Sequence, residues 1–248
     1  MTRKNAHALV SLGLAALMVS GCSVVPQSSY GGGNAYYANQ TSAPVTTSAP
    51  VAAAPRMAAA AVPVVRSGAE AQCLSDLGAS GVRFDPLPDQ YRGEGCSTLN
   101  TVQMHALRSD SGQLDVSNLG PVTCPVSNAF AAWARFGVDR AAQEVFGTRL
   151  ASIQTMGSYA CRNVAGSSRR SAHATADAID ISGFVLADGR VITLSDGWDG
   201  SAQEREFLRI VQRSACRRFG TVLGPDYNAA HEDHFHVEGV IEGSSFCR

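Results

Sequence analysis

Six of the seven cysteines, Cys73, Cys96, Cys124, Cys161, Cys216 and Cys247, lie in the last three quarters of the chain. No other feature limits the fold as much. None sits in a C-x-x-C pair, so a structural zinc cluster is a poor reading. An even number of thiols in one exported domain predicts three disulfides. Spacing alone leaves many pairings open. Cys73–Cys96 is favoured, because this pair flanks a compact segment punctuated by Gly and Pro.

Export is read from the N-terminus. Residues 1–21 combine Arg3 and Lys4, an apolar stretch from Ala8 to Val19, and the small residues Ser20-Gly21. That order is a secretory signal. Val19-Ser20-Gly21-Cys22 resembles the bacterial lipobox, which implies acylation of Cys22 and attachment to a membrane through lipid alone. Ser23 takes the place where lipoproteins kept in the inner membrane usually carry Asp. In a diderm bacterium the expected location is the periplasmic face of the outer membrane. Residues 22–68 are rich in Ala, Ser, Pro and Gly, hold no acidic residue after Cys22, and show no period of 2 or 3.6. They read as a disordered tether, with a reach on the order of 100 Å. The folded domain is expected over residues 69–248.

Charge and composition exclude several functions. The formal net charge of -1 argues against a nucleic-acid surface. Lys4 is the only lysine, so the mature chain has neither a Schiff-base nor a P-loop lysine. No apolar run reaches the ~20 residues of a spanning helix.

Within the domain, residues 125–146 read as one or two helices with an apolar stripe of Ala129, Phe130, Trp133 and Phe136, stopped by Gly147. Residues 149–159 read as a strand. Residues 178–186 and 191–194 form a hairpin through Asp188-Gly189. Residues 201–219 are the clearest helix, with a Ser201/Glu204 capping box and Gly220 as its stop. Residues 221–223 and 234–240 read as further strands. Hairpins interspersed with helices predict an α+β fold.

The chemistry is concentrated in two patches. One runs from Ser171 through His173 and Asp177 to Asp180. The other is His231-Glu232-Asp233-His234-Phe235-His236. On a strand, His234 and His236 face the same side. Asp180 falls on the polar face of a strand whose other face carries Ile179 and Ile181. A turn through the small residues 174–178 would bring His173 to it. Two histidines and a carboxylate with an open fourth position form a catalytic zinc pattern.

Ser171-x-His173-x₆-Asp180 followed by His234-x-His236 resembles the LAS zinc peptidases, in particular their D-alanyl-D-alanine carboxypeptidase branch. The region from about residue 70 to 248, with its cysteines, also resembles the bacterial extensin-like C-terminal domain family. These resemblances imply a LAS-like (hedgehog/D-Ala-D-Ala peptidase-like) antiparallel sheet with flanking helices. They imply Zn²⁺ held by His173, Asp180 and His236, with Asp233 as general base if the strand begins after it. They make His234 and Arg162 stabilisers of developing charge, and Ser171 and Tyr159 substrate contacts. Peptidoglycan stem peptides are the implied substrate. One departure stands out: Ala176 replaces the Gly common in such peptidases, and its Cβ is expected to exclude a positive φ. A non-catalytic wall-binding or envelope-organising lipoprotein is the alternative, and a metal hydrolase acting on a lactone or another amide is a third reading.

Other residues draw plainer expectations. His231 reads as a surface residue, and Glu232 and Asp177 as solvated or supporting carboxylates. His105 reads as ordinary and Trp133 as core. Trp198 sits in a loop that could line a cleft. Arg169-Arg170 reads as a solvated pair.

Overall fold

The computed structural model describes residues 66–248. The segment read as a signal, the Cys22 read as a lipidation site and nearly all of the segment read as a tether lie outside them. Helix α1 (Gly68–Ala79) opens on a Ser67/Glu70 capping box. Strands β1 (Arg83–Pro86), β2 (Gln90–Gly93), β3 (Cys96–Thr98), β4 (Thr101–Arg108), β5 (Gln113–Ser117) and β6 (Val122–Thr123) follow. Helix α2 (Cys124–Trp133) runs through a π-turn (Ala134–Asp139) into α3 (Arg140–Phe146). Next come β7 (Leu150–Gly157), a 3₁₀ turn (Ala172–Thr175), β8 (Ala178–Leu186), β9 (Val191–Thr193) and α4 (Leu194–Gly197). The chain ends with α5 (Ala202–Ala215), β10 (Thr221–Leu223), a 3₁₀ turn (Ala229–His231), β11 (Phe235–Glu238) and β12 (Phe246–Cys247). No helix among the described residues is long and apolar enough to cross a membrane.

The α+β class holds, but the large sheet is mixed. Its order is β1-β4-β5-β7-β8-β11-β10-β12, with β6 on β4 and β9 on β8. Two neighbours, β5/β7 and β10/β12, are parallel. The helical crossover α2–α3 between β5 and β7 allows the first, because parallel strands need a long return connection. The core forms where the helices meet the sheet: Phe130 and Trp133 of α2, Phe184 of β8, Phe207 of α5 and Phe219 just beyond it are fully buried. The Trp133 indole N–H donates to the Val211 carbonyl at 3.1 Å, so the large ring is buried without an unmet donor.

Three expectations change. Phe136 leaves the buried stripe, because the π-turn inserts an extra residue per turn and rotates the face. It lies 43% exposed beneath the guanidinium groups of Arg135 and Arg140. Helix α5 keeps its Ser201/Glu204 box but ends at Ala215, before the residue tied to Cys247. Gly220 therefore follows a separate turn. The last main strand is shorter than expected and stops at Glu238, where Gly239 takes φ +60°.

The three disulfides are Cys73–Cys124, Cys96–Cys161 and Cys216–Cys247. The expected Cys73–Cys96 pair is not formed. Cys73 lies on α1, which packs along α2, and meets the first residue of that helix. Cys96 belongs to the small β2–β3 hairpin and staples it to the segment after β7. These bridges span 51, 65 and 31 residues. In the chain-entropy account, loops of that size each contribute about 4 kcal/mol.

Candidate metal centre

Strands β8 and β11 build the centre through their alternation. Ile179, Ile181, Phe235 and Val237 are fully buried on the helix side. Asp180 and His236 are paired directly across the ladder on the other side. Burying each isoleucine is worth ~2 kcal/mol. A one-residue slip would move those side chains into the cleft, so core packing fixes the polar register.

The 3₁₀ turn Ala172–Thr175 brings in His173. Ser171 caps it, its Oγ accepting from the His173 N–H. The turn closes at Ala176, which has φ +56° and ψ +26°. The alanine thus adopts the left-handed conformation that its Cβ was expected to forbid, and the loop geometry a glycine would serve is present. Two backbone bonds hold it: Ala176 N–H to the His173 carbonyl at 3.1 Å, and Thr123 N–H to the Ala176 carbonyl at 2.9 Å. A left-handed alanine costs roughly 1–2 kcal/mol.

His173, Asp180 and His236 converge, with one potential ligand atom from each within 4.8 Å of the others. His173 Nε2 lies 3.1 Å from His236 Nδ1 and 3.1 Å from Asp180 Oδ2. His236 Nδ1 lies 2.9 Å from Asp180 Oδ1. The far side of each ring is tied. His173 Nδ1 donates to the Ser158 carbonyl at 2.8 Å, and a carbonyl only accepts, so Nε2 turns toward the cluster. His236 Nε2 donates to the Glu238 carboxylate at 2.9 Å. Outer partners of this kind set the tautomer and aim of metal-binding histidines.

The charges agree with a site for a cation. Burial would raise the pKa of Asp180, but hydrogen bonds from His173 and His236 outweigh it and hold the carboxyl well below its usual range. Burial opposes a charge on His236, yet Asp180 and Glu238 push its pKa up to about 9. The hydrogen bond from His236 likewise lowers that of Glu238. Without a metal these carboxylates favour the charged form of His236, hydrogen-bonded to Asp180 and Glu238. Two imidazole nitrogens and a carboxylate suit a divalent ion of the zinc type.

The cluster opens into a cleft of about 610 Å³. His234 and Ser171 line it. Arg162 reaches in with Nη2 3.8 Å from Asp180 Oδ2. His234 Nε2 lies 3.6 Å from Asp180 Oδ1, while its Nδ1 donates to Asp233 Oδ1 at 2.8 Å. Asp233 precedes β11 and lines a neighbouring acidic cleft, not this one. Its carboxylate acts on the far side of His234. Tyr159 is also outside the cleft lining. Its ring lies beneath Arg92 and its hydroxyl is buried without a protein partner.

The remaining expectations fall on both sides. His231 is in the cleft, not simply on the surface, with its ring 5.2 Å from that of His234. Burial and the nearby His234 and His236 push its pKa down to about 4. Asp177 accepts the Thr123 hydroxyl at 2.8 Å, and burial raises its pKa. Arg169 lines the cleft, whereas Arg170 is turned to the Glu94 carbonyl and Asn163. His105 pairs with Asp85 on an exposed edge. Trp198 is 4% exposed and lines the acidic cleft with Asp199, Asp226, Glu232 and Asp233. The sequence reading missed Glu238 and Ser158. Glu238 carried a signal, since it continues the two-residue alternation of His234 and His236. Ser158 contributes only a backbone oxygen and carried none.

A disulfide-linked α+β domain with a two-histidine, one-carboxylate centre is the class that the fold and site define. The chain belongs to the extensin-like C-terminal family, whose model, described as "Extensin-like protein C-terminus", matches residues 71–248. Neither the curated proteins nor the solved structures contain a match.

Proposed function

We propose that the chain is a lipid-anchored, zinc-dependent peptidase of the LAS kind, related to the D-Ala-D-Ala carboxypeptidases and acting on peptidoglycan stem peptides. One observation carries the reading: three donors converge on one point, and both histidine rings have their outer nitrogens tied. The lipobox-like N-terminus supports a location beside the cell wall. The Ser171-x-His173-x₆-Asp180 and His234-x-His236 spacings support the choice of a peptide bond.

His173, Asp180 and His236 would hold the zinc ion, which would supply a Lewis acid for a carbonyl and for water. The protein groups around it then have defined tasks. His234, aligned by Asp233, holds and moves a proton at Nε2. Arg162 presents a guanidinium to the developing oxyanion or to a substrate carboxylate. The Ser171 hydroxyl, on the cleft wall, hydrogen-bonds the peptide. His231 forms the cleft wall beside His234. Asp233 works through His234 as a positioning residue.

The turn of Asp233 out of the cleft favours a second reading, a non-catalytic wall-binding or envelope-organising lipoprotein that retains the fold. Zinc content and peptide hydrolysis separate the two. The full chain should hold about one zinc, and a His173→Ala/Asp180→Ala variant none. Cleavage of stem peptides that disappears with the metal supports the peptidase. Zinc without cleavage supports the binding module. No zinc after supplementation overturns the metal centre itself.

A further inference from the structure

The cleft does not end at the metal ligands. A row of rings leads outward from His236: His231 at 5.9 Å, then Tyr227 at 5.5 Å from His231, then Phe246 at 6.0 Å from Tyr227. Tyr227 and Phe246 are 42% and 47% exposed, unlike the large aromatic rings of the core. Both line the cleft. Their planes meet at 89°, edge to face, so the two rings present surfaces at a right angle. The disulfide at Cys247 and the parallel pairing of β12 with β10 hold Phe246 in place. The Arg248 guanidinium lies 5.1 Å from the Phe246 ring. Polar side chains of Asn228 and Thr221 face the same cleft.

Two apolar surfaces at a right angle, bordered by hydrogen-bonding groups, match a specific chemistry. An N-acetylated amino sugar has one flat C–H face and a separate acetamido methyl, with hydroxyls around its rim. A plain aliphatic side chain has no use for the polar border. We propose that Tyr227 and Phe246 form a subsite for an N-acetylated amino sugar carried by the substrate. Tyr227 lies two ring-to-ring steps from His236 and Phe246 three, and an extended peptide covers the span to Tyr227 in about three residues. The cleft then engages a peptide at the metal end and its glycan at the aromatic end. The link to hydrolysis rests on the peptidase reading. The sugar site itself does not.

The test is binding of the N-acetylglucosamine tetramer to the full chain, followed by NMR or calorimetry, with and without zinc. The wild type should bind it alike with and without zinc. Tyr227→Ala and Phe246→Ala should weaken binding at least ten-fold. Phe246→Leu keeps apolar bulk but removes the ring, so it should lose binding while retaining the fold, and Phe246→Tyr should restore binding. Absence of tetramer binding by the wild type, or equal binding by folded Phe246→Leu, overturns the subsite. Tetramer binding without any peptide cleavage removes the peptidase reading and leaves the subsite standing.

Discussion

Two clefts lie on either side of the segment from Pro225 to His234, and they use similar residue types differently. The histidine cleft buries His173 and His236, leaves Asp180 only slightly exposed, and ties each imidazole to a partner. The acidic cleft, about 590 Å³, gathers Asp199, Asp226, Glu232 and Asp233. It holds no cluster of three metal-type donors of the kind formed by His173, Asp180 and His236 among the described residues. Asp226 accepts from the Trp198 indole at 2.8 Å and from Arg209. Abundance of carboxylates does not make a metal site. Aimed donors with their other valences satisfied do.

The largest expected difference is in metal content. Removing His173 and Asp180 should abolish zinc binding and any zinc-dependent hydrolysis. The pair Asp199→Asn/Glu232→Gln should leave both unchanged, as measured by metal analysis and peptide cleavage. Loss of zinc in that second pair would break the distinction between the clefts. Glu238→Gln should weaken zinc binding by roughly 10–100-fold while the fold persists, because it loosens the aim of His236. Competition with a chromophoric chelator measures this directly.

The clefts should also fail at opposite ends of the pH range. In the metal-free chain His236 has its pKa raised to about 9. The stability it contributes is fully present below its unfolded value near 6.5 and is lost as pH rises through 9. The melting temperature of the metal-free chain should fall over that window, by on the order of 5 °C. Zinc should abolish the fall, since it replaces the proton. Asp226 behaves in the reverse sense. The Trp198 N–H lowers its pKa first, burial opposes this, and Arg209 lowers it further. Its contribution is present above the unfolded value of about 3.9 and is lost as pH falls through the folded one. For so exposed a group the effect should stay below about 1 kcal/mol. Trp198 fluorescence across an acid titration reports it. The smallest change is expected for Ala176→Gly, a gain of up to about 1 kcal/mol from relief of the left-handed strain, partly offset by glycine's chain entropy. Thermal unfolding of the zinc-loaded pair measures it.

Much of this arrangement was legible in the sequence because it depends on short-range periodicity. The alternation around Asp180 and His236 followed from apolar neighbours that have only one buried face available. The need for a turn after His173 followed from the spacing. What escaped depended on contacts between distant segments. The disulfide partners follow from α1 lying along α2 and from a hairpin docking beyond β7, and no local pattern encodes either. Asp233 precedes β11, as its expected role as base required, yet its side chain lines the acidic cleft, and no local pattern sets its direction outside the strand. The backbone at Ala176 was misjudged because residue preference was read without the Thr123 and His173 bonds that offset the strain.

Two of the three disulfides sit at the ends of the histidine cleft. Cys161 adjoins Arg162 at one rim, and Cys247 adjoins Phe246 at the other. In a chain whose thiols are still reduced, neither rim is pinned, although the β8/β11 ladder between them needs no cross-link. The groove is thereby tied to redox state: the metal-type donors come together through the ladder alone, whereas both rims are pinned only where thiols oxidise.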